Sequence, residues 1–155
     1  MLAYRIADAR HPIYDGTGAM LCGGRWNSIG RRVIYAAETY AGAMLEVLVH
    51  ANLAVPPKHH QAVRISIPAA LKIETLSASE LPGWDAESGS AARSFGDRWL
   101  LEARSAVLRV PSVVTEGREY NLLINPLHPQ AARIEAAAPE PVRWDMRLFR
   151  MATDR

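Results

Sequence analysis

Apolar and polar positions alternate in several short stretches of the chain, and such alternation predicts β-strands. The clearest of these stretches is residues 2–6, Leu-Ala-Tyr-Arg-Ile, and a short apolar run at residues 33–37 predicts a second strand. Further strands are predicted over residues 62–67, 71–74, 107–110 with 113–114, and 121–125, and a weakly alternating stretch at 139–150 is a candidate to close the sheet. The pattern therefore predicts a domain with a mainly β core.

Two segments repeat their apolar residues at helical spacing. The first covers residues 40–52, where Thr39 is suited to cap the helix and two prolines follow its end. Glu46 and His50 lie four residues apart and therefore share one face of this helix. The second segment covers residues 91–105, whose aromatic and alanine residues form one apolar stripe.

Two stretches without such periodicity are predicted to be loops. Residues 7–32 are rich in Gly, Pro, Asp and Asn, and loops of this length in a compact domain are usually functional or mobile. Residues 77–90 contain Ser, Pro, Gly and acidic residues and are predicted to be a surface excursion. Because no repeat or second composition interrupts the chain, we expect a single α/β (α+β) domain over residues 1–155.

The overall composition is that of a soluble globular protein, with 49% hydrophobic and 22% charged residues. No apolar run approaches the ~18–20 residues needed to span a bilayer, and the first residues lack the apolar segment of a signal peptide. Cys22 is the only cysteine, which excludes an internal disulfide and argues against a cysteine-based metal cluster. The formal charge of +2 is too small to favour direct binding to nucleic acid. We therefore expect a cytoplasmic protein without a membrane segment.

Glu46 departs most from its surroundings, because it lies within an otherwise apolar run of its predicted helix. Burying an ionised carboxylate is costly unless the group is paired. If it faces a cleft, this carboxylate is suited to stabilise an oxocarbenium-like centre or to hold ribose hydroxyls. The alternative is a structural pair with His50 or with an arginine. The sequence leaves both interpretations open.

A second group of candidate residues lies in and just after a glycine-bounded basic loop. Arg25 follows two glycines, and Arg31 and Arg32 lie close to it in sequence. Glycine lets a ligand approach the backbone and guanidinium groups match phosphate, so the loop favours a small anion. The alternative is an ordinary surface arginine beside a packing tryptophan, Trp26. Tyr35 is suited to stack on a planar ligand, although most strand tyrosines are packing residues.

Other polar residues predict less specific chemistry. Ser112 lacks the Gly-x-Ser-x-Gly motif of a nucleophilic serine, so a hydrogen bond to a ligand is the role expected of it. Asn121 begins an apolar stretch and is either a ligand contact or part of a turn. His59 and His60 follow Pro-Pro-Lys without further metal ligands nearby, and no metal site is predicted.

Taken in order, these residues resemble those of the RES-domain family, toxins of bacterial toxin–antitoxin pairs. The resemblance runs through nearly the whole chain and rests on a series of short motifs. They are Tyr4-Arg5, Gly24-Arg25-Trp26-Asn27 with Gly30, Tyr35-Ala36-Ala37, Ala43 with Glu46 and His50, Val110-Pro111-Ser112, and Asn121-Leu122-Leu123-Ile124-Asn125-Pro126 with His128. The arginine, glutamate and serine for which the family is named match Arg25, Glu46 and Ser112.

The resemblance implies an α/β fold related to that of the ADP-ribosyltransferases, with a cleft that binds NAD⁺ as the substrate. Family members deplete NAD⁺ by hydrolysis or phosphorolysis, and some transfer ADP-ribose-type groups to a protein. In this chain, Arg25 would hold the diphosphate and Tyr35 would line the nicotinamide side. Glu46 would stabilise positive charge as the nicotinamide–ribose bond breaks. The substrate-binding residues implied beside these three catalytic ones are Ser112, Asn121, Arg31 and Trp26.

The family also implies partners. Its usual partner is an antitoxin with an Xre-type helix-turn-helix domain, and a homodimer and a toxin–antitoxin hetero-oligomer are expected. Met44 stands two residues before Glu46, where arginine-targeting transferases have the first acid of a Glu-x-Glu signature. This departure favours NAD⁺ breakdown. A protein-modifying transferase and a non-catalytic antitoxin-binding module are the alternatives.

Overall fold

One mixed β-sheet forms the centre of the computed structural model, which describes residues 1–51 and 54–149. Within these residues the sheet has eight strands: β1 (Leu2–Asp8), β2 (Ile34–Ala37), β3 (His60–Ser66), β4 (Ile73–Thr75), β5 (Val107–Pro111), β6 (Tyr120–Ile124), β7 (Glu135–Ala136) and β8 (Glu140–Pro141). The strand order across the sheet is β4-β5-β6-β2-β1-β3-β7, and β8 also pairs with β3. β4 and β5 are parallel, and the other pairs are antiparallel.

Three α-helices and three short 3₁₀ turns accompany the sheet in the described part of the chain. The helices are α1 (Thr17–Cys22), α2 (Tyr40–His50) and α3 (Ser90–Glu102), and the turns are Ala78–Glu80, Pro129–Arg133 and Met146–Phe149. None of the helices described there has the length and apolarity needed to cross a bilayer. The fold is therefore of the α+β class with a mainly β core, as the sequence pattern predicts.

The two faces of the sheet are covered differently. One face carries a single apolar cluster that includes Ala3, Ile34, Ala36, Val63, Ile65, Leu122 and Ile124. The other face carries two separate clusters, one with α3 (Trp26, Leu108, Val110, Trp99 and Leu123) and one with α2 (Ile6, Ala37, Ala43 and Ala62). We call this second side the helix-bearing face. Asn121 of β6 lies between its two clusters, because it pairs with Ala37 and stands two residues before Leu123.

Side-chain contacts connect the start of α2 to β5 and β6. Thr39 Oγ1 accepts a hydrogen bond from the Gly42 amide at 2.9 Å, which confirms the predicted N-cap. The same hydroxyl donates to Glu119 Oε2 at 3.0 Å, next to β6. Glu38 forms an ion pair with Arg109 of β5. These contacts set the position of α2 relative to β5 and β6.

Most predicted elements are confirmed with small shifts of their ends. The predicted strands at residues 2–6, 33–37, 62–67, 71–74, 107–110 and 121–125 correspond to β1 through β6, and the two predicted helices correspond to α2 and α3. α2 ends at His50. Asn52, where this helix was predicted to end, lies outside the described residues.

The predicted loop at residues 7–32 is wrong in two places. β1 continues to Asp8, since its pairing with β3 extends that far. A short helix, α1, forms within the remaining stretch. It is only six residues long, so it offers little periodicity from which to predict it.

Two further strand predictions are also corrected. Residues 113–114 are not a strand, because the chain reverses between β5 and β6. Glu116 and Gly117 have φ angles of 55° and 76° there, in the left-handed region that such a reversal uses. Of residues 139–149, only the two-residue strand β8 joins the sheet.

The stretch at residues 77–90 is more firmly attached than a surface excursion. Trp84 is only 8% exposed and belongs to the apolar cluster of α3. Leu81 packs against the same cluster. The large apolar area of the indole therefore holds this stretch against the domain.

Candidate active site

The carboxylate of Glu46 lies where α2 approaches the ends of β5 and β6. Asn121 donates from Nδ2 to Glu46 Oε1 at 2.8 Å, and Ser112 Oγ donates to the same oxygen at 3.3 Å. Glu46 is half-buried and Ser112 is 4% exposed. The fold thus brings together three predicted site residues that are 66 and 75 positions apart in sequence. His50, predicted on the same helix face as Glu46, is exposed at the end of α2.

Tyr35 lies beside Asn121 on the helix-bearing face. β2 and β6 are antiparallel, with Tyr35 opposite Leu123 and Ala37 opposite Asn121. Because side chains alternate between the faces of a sheet, Tyr35 and Asn121 point to the same side and are diagonal neighbours. A line of polar groups therefore runs along this face from Glu46 through Asn121 to Tyr35.

The hydroxyl of Tyr35 holds the loop that carries the predicted arginine. It donates to Asn27 Oδ1 at 2.6 Å and accepts from the Trp26 amide at 3.1 Å. A Cβ atom on Gly24 would lie 2.7 Å from this hydroxyl, so the close approach of the loop requires glycine. Burial raises the pKa of Tyr35, and the phenol is therefore protonated at neutral pH. Stacking of its ring on a ligand stays a prediction.

Asn27 is a structural centre of the loop that sequence reasoning did not single out. It is fully buried, and its Nδ2 donates to the carbonyl oxygens of Ala19 at 2.8 Å and Arg31 at 3.0 Å. Together with its bond to Tyr35, these contacts join α1, the loop and β2. The only available signal was its place beside Arg25 and Trp26 in one motif.

Trp26 has the packing role that the sequence left open as an alternative. Its indole is 3% exposed and meets the ring of Phe95 edge to face, with 6.5 Å between ring centroids. A Cβ atom on Gly96 would lie 1.8 Å from the Trp26 carbonyl oxygen, so the loop packs directly on α3. Binding of substrate by Trp26 remains a prediction.

Arg25 and Arg31 point to different partners. Arg25 Nη1 donates to the carbonyl oxygens of Ala86 at 2.9 Å and Trp84 at 3.3 Å. Arg31 Nε lies 3.7 Å from Asp97 Oδ1 of α3, so its charge is partly compensated. The structure therefore places both predicted arginines near α3 but brings them into separate interactions.

A third arginine, Arg93 of α3, accompanies Arg25 at this end of the face. A Cβ atom on Gly89 would lie 3.3 Å from Arg93 Nη2 and 3.8 Å from Arg25 Nη1, so the two guanidinium groups flank one position. Burial, the largest influence, raises the pKa of Tyr35, and the charges of Arg93 and Arg25 lower it slightly. We call the region around Arg25, Arg31 and Arg93 the cationic end, and the region around Glu46 the acidic end.

Metal binding has no structural support in the described residues. No group of three or more His, Cys, Asp or Glu side chains in residues 1–51 and 54–149 is placed to hold a metal ion. His60 begins β3 and follows His59 in sequence. In the sheet, β1 separates β3 from β2 and β6, the strands that carry Tyr35 and Asn121.

Comparison with known proteins identifies the family of this chain. The sequence model of the RES domain matches residues 2–145. The chain belongs to the RES-domain family of toxins. A protein of Sphingobium sp. (strain YBL2) named Prs ADP-ribosylating toxin is 42% identical, over 96% of this chain and 97% of its own length. A protein of Pseudomonas putida KT2440 named Toxin Res is 37% identical, over 96% of this chain and 100% of its own.

A solved structure has the same fold as this RES-domain chain. It is a chain of the M. tuberculosis MbcT–MbcA toxin–antitoxin complex, with a TM-score of 0.70 and 18% sequence identity. The match covers 90% of this chain and 82% of the other. At this level of identity the likeness concerns the fold, and it confirms the predicted α+β architecture.

Proposed function

We propose that this RES-domain protein is a toxin enzyme that binds NAD⁺ along the helix-bearing face and cleaves its nicotinamide–ribose bond. The supporting observation is the charge arrangement of that face. The carboxylate of Glu46 lies at one end, the guanidinium of Arg25 lies at the other, and Asn121 and Tyr35 lie between them. NAD⁺ has the complementary arrangement, with a cationic nicotinamide ring on one ribose and an anionic diphosphate beyond it.

The acidic end is suited to the bond-breaking step. As the bond between ribose C1′ and the nicotinamide nitrogen breaks, its electron pair goes to the nitrogen and positive charge develops on the ribose. The carboxylate of Glu46 stabilises that charge, and the hydrogen bonds from Asn121 and Ser112 orient it before reaction. Water then adds to C1′ and loses a proton to the carboxylate, or a phosphate anion adds to C1′ through one of its oxygens without a proton transfer. One carboxylate is sufficient because neutral nicotinamide is a good leaving group.

The cationic end is suited to hold the diphosphate. Arg25 presents a guanidinium group whose hydrogen bonds in the structure go to two backbone carbonyl oxygens. Phosphate oxygens are stronger acceptors for guanidinium than neutral carbonyl groups are. In this proposal Arg31 assists as a second donor, and Tyr35 lines the nicotinamide side between the two ends. Trp26 contributes by holding the loop backbone against α3.

Transfer of ADP-ribose to a protein is the second candidate function. It is favoured by the Sphingobium relative, which is 42% identical and is named Prs ADP-ribosylating toxin. The first step would be the same, and a side chain of the target protein would attack C1′ in place of water or phosphate. Met44, in place of the first acid of a Glu-x-Glu signature, favours NAD⁺ breakdown over modification of arginine.

The partner in this proposal is an antitoxin. The structure with the same fold was determined as a toxin–antitoxin complex. We infer an antitoxin with an Xre-type helix-turn-helix domain, and a homodimer of this chain within the toxin–antitoxin assembly. Light scattering of the toxin alone and with its antitoxin would measure both stoichiometries.

The decisive experiment is chromatography of NAD⁺ incubated with the purified protein, with and without phosphate. We expect nicotinamide together with ADP-ribose, or with its phosphate ester when phosphate is the nucleophile. Glu46→Gln should slow the release about 10²–10³-fold, whereas Glu140→Gln, which changes an exposed carboxylate on β8, should leave it unchanged. Circular dichroism of the same samples checks folding. Nicotinamide release from folded Glu46→Gln at the wild-type rate would contradict the proposal.

The same reactions distinguish cleavage from transfer. Adenylate-labelled NAD⁺ is added to a cell lysate together with the protein, and proteins are separated by electrophoresis. A labelled band that requires Glu46 would favour transfer to a protein. Free labelled ADP-ribose without a labelled band would favour breakdown.

A further inference from the structure

An open cleft lies beside the loop that Tyr35 holds. It has a volume of about 560 Å³, and its lining includes Gly23, Gly24, Asn27, Ser28 and Arg93. Asn27 accepts a hydrogen bond from Tyr35, and Gly24 is in close contact with the same hydroxyl. The cleft therefore adjoins the polar line of the helix-bearing face at its cationic end.

Arg93 is the guanidinium group that lines this cleft, and it forms no ion pair with a carboxylate of the described residues. Its hydrogen bond goes from Nη2 to the carbonyl oxygen of Ser88, at 3.3 Å. Among residues 1–51 and 54–149, neither Arg93 nor Arg25 takes part in an ion pair. Arg31, in contrast, lies 3.7 Å from the Asp97 carboxylate.

The guanidinium groups of Arg25 and Arg93 approach each other. Both approach the Cβ position of Gly89, at 3.3 Å for Arg93 and 3.8 Å for Arg25. Two positive charges held this close repel each other unless an anion lies between them. A ligand with two adjacent phosphate groups offers each guanidinium its own acceptor oxygens.

We propose that Arg93 is a further substrate-binding residue: Arg93, which lines this cleft, and Arg25, which approaches the same glycine from the neighbouring loop, hold the diphosphate of the dinucleotide between them. The inference rests on the proposed function and deepens it. Arg93 makes the enzyme selective for a diphosphate-bearing substrate over nicotinamide riboside, which has the same scissile bond and no phosphate. Arg31 contributes less than Arg93, because Asp97 already compensates its charge.

The test uses calorimetry with ADP-ribose as the probe. Arg93→Gln removes the charge from the cleft, and Arg98→Gln removes the same charge from an exposed position of the same helix. We expect Arg93→Gln to weaken ADP-ribose binding on the order of 10- to 100-fold, as loss of a charged hydrogen bond does. Arg98→Gln should bind like the wild type.

Kinetics with two substrates provide the second measurement. For NAD⁺, Arg93→Gln should raise KM by a similar factor and leave kcat within about threefold of the wild-type value. For nicotinamide riboside, kcat/KM should be the same in Arg93→Gln and the wild type. A merely structural role would instead lower the activity on both substrates.

The outcomes distinguish a failure of this inference from a failure of the proposed function. If the wild type cleaves NAD⁺ and Arg93→Gln keeps the wild-type KM and ADP-ribose affinity, Arg93 does not hold the diphosphate, and cleavage by Glu46 stands. If the folded wild type neither cleaves NAD⁺ nor binds ADP-ribose, both proposals are overturned. Weaker binding by Arg98→Gln to the same extent as by Arg93→Gln would show a general charge effect and would also contradict the inference.

Discussion

The acidic and cationic ends of the helix-bearing face are built in different ways. At the acidic end, Glu46 on α2 receives hydrogen bonds from Asn121 on β6 and from Ser112 directly after β5. At the cationic end, Arg25 lies in a loop and donates to the backbone of a second loop. A helix and a strand hold the carboxylate and Asn121, whereas packed loops hold the guanidinium group of Arg25.

The difference follows from what each end has to do. A group that acts on a breaking bond needs accurate placement, and helices and strands hold side chains more accurately than loops. Attraction between guanidinium and phosphate varies slowly with distance, so small shifts of a loop are tolerated. The cationic loop is nevertheless anchored, because Trp26 and Asn27 are buried beneath it.

The largest expected effect is on the kinetics, where variants of the two ends should change different constants. Glu46→Gln keeps the shape of the side chain but removes its charge, and should lower kcat about 10²–10³-fold, because charge stabilisation acts in the transition state. Arg25→Gln should act mainly on KM, which should rise about 10-fold. Steady-state kinetics with NAD⁺ measure both. Equal effects of the two variants on kcat would break the distinction between the ends.

The packing of the cationic loop on α3 predicts the second effect. Gly96→Ala would place a Cβ atom 1.8 Å from the Trp26 carbonyl oxygen, and we expect it to lower the free energy of unfolding by about 3 kcal/mol. Gly18→Ala is the control, since an added Cβ there meets no atom within 4 Å. It lies in α1 and should be neutral or stabilising by about 0.5–1 kcal/mol. Urea unfolding compares the two, and similar stabilities would show that the loop is not held by this contact.

The bond between Tyr35 and the loop predicts a third effect, which depends on pH. Tyr35→Phe leaves Asn27 Oδ1 and the Trp26 amide without this partner, and should cost about 1–3 kcal/mol at pH 8. Burial raises the pKa of Tyr35 in the folded state, so folding favours the protonated phenol. The stabilisation is therefore complete below the unfolded pKa of about 10 and is lost as pH rises above it.

Urea unfolding of wild type and Tyr35→Phe at pH 8 and pH 10.5 measures this dependence. The difference in free energy of unfolding between them should become smaller at the higher pH. Tyr14, whose pKa burial also raises, is present in both proteins, so its contribution cancels. A difference that grows with pH would contradict the assigned role of the Tyr35 hydroxyl.

The smallest expected effect concerns the start of the helix that carries the carboxylate. Thr39→Ala removes the N-cap of α2 and its bond to Glu119, and should lower the free energy of unfolding by about 1 kcal/mol. Because α2 then holds Glu46 less firmly, kcat should fall with little change in KM. Thr39→Ser keeps the hydroxyl and should restore both values. An unchanged kcat in Thr39→Ala would mean that Asn121 and Ser112 alone position the carboxylate.

Much of the fold was predictable because its signals are local. Alternation and short apolar runs identified β1 through β6, and helical spacing identified α2, with its Thr39 cap, and α3. The incorrect predictions also have local causes. The helix α1 has six residues, and the reversal after β5 lies among valines that are typical of strands.

The candidate site was predictable in its residue types but not in its arrangement. An acid in an apolar helix marked Glu46, and the family motifs marked Arg25 and Ser112. The stabilising roles of Asn27 and Trp26 depend on burial, which their neighbours in sequence do not indicate. Arg93 carries no motif, and only its position opposite the glycine-bounded loop distinguishes it from the exposed Arg98.

The sequence by itself determined most of the secondary structure elements, the family and the residue types of the candidate site, because periodicity, capping and short motifs act over a few neighbouring residues. The tertiary structure alone decided that Asn121 and Ser112 point at Glu46, across 75 and 66 positions of sequence. It also decided that Arg25 reaches a loop about 60 positions further along the chain. These contacts arise from the strand order of the sheet, which brings distant segments to one face and has no local signature in the chain.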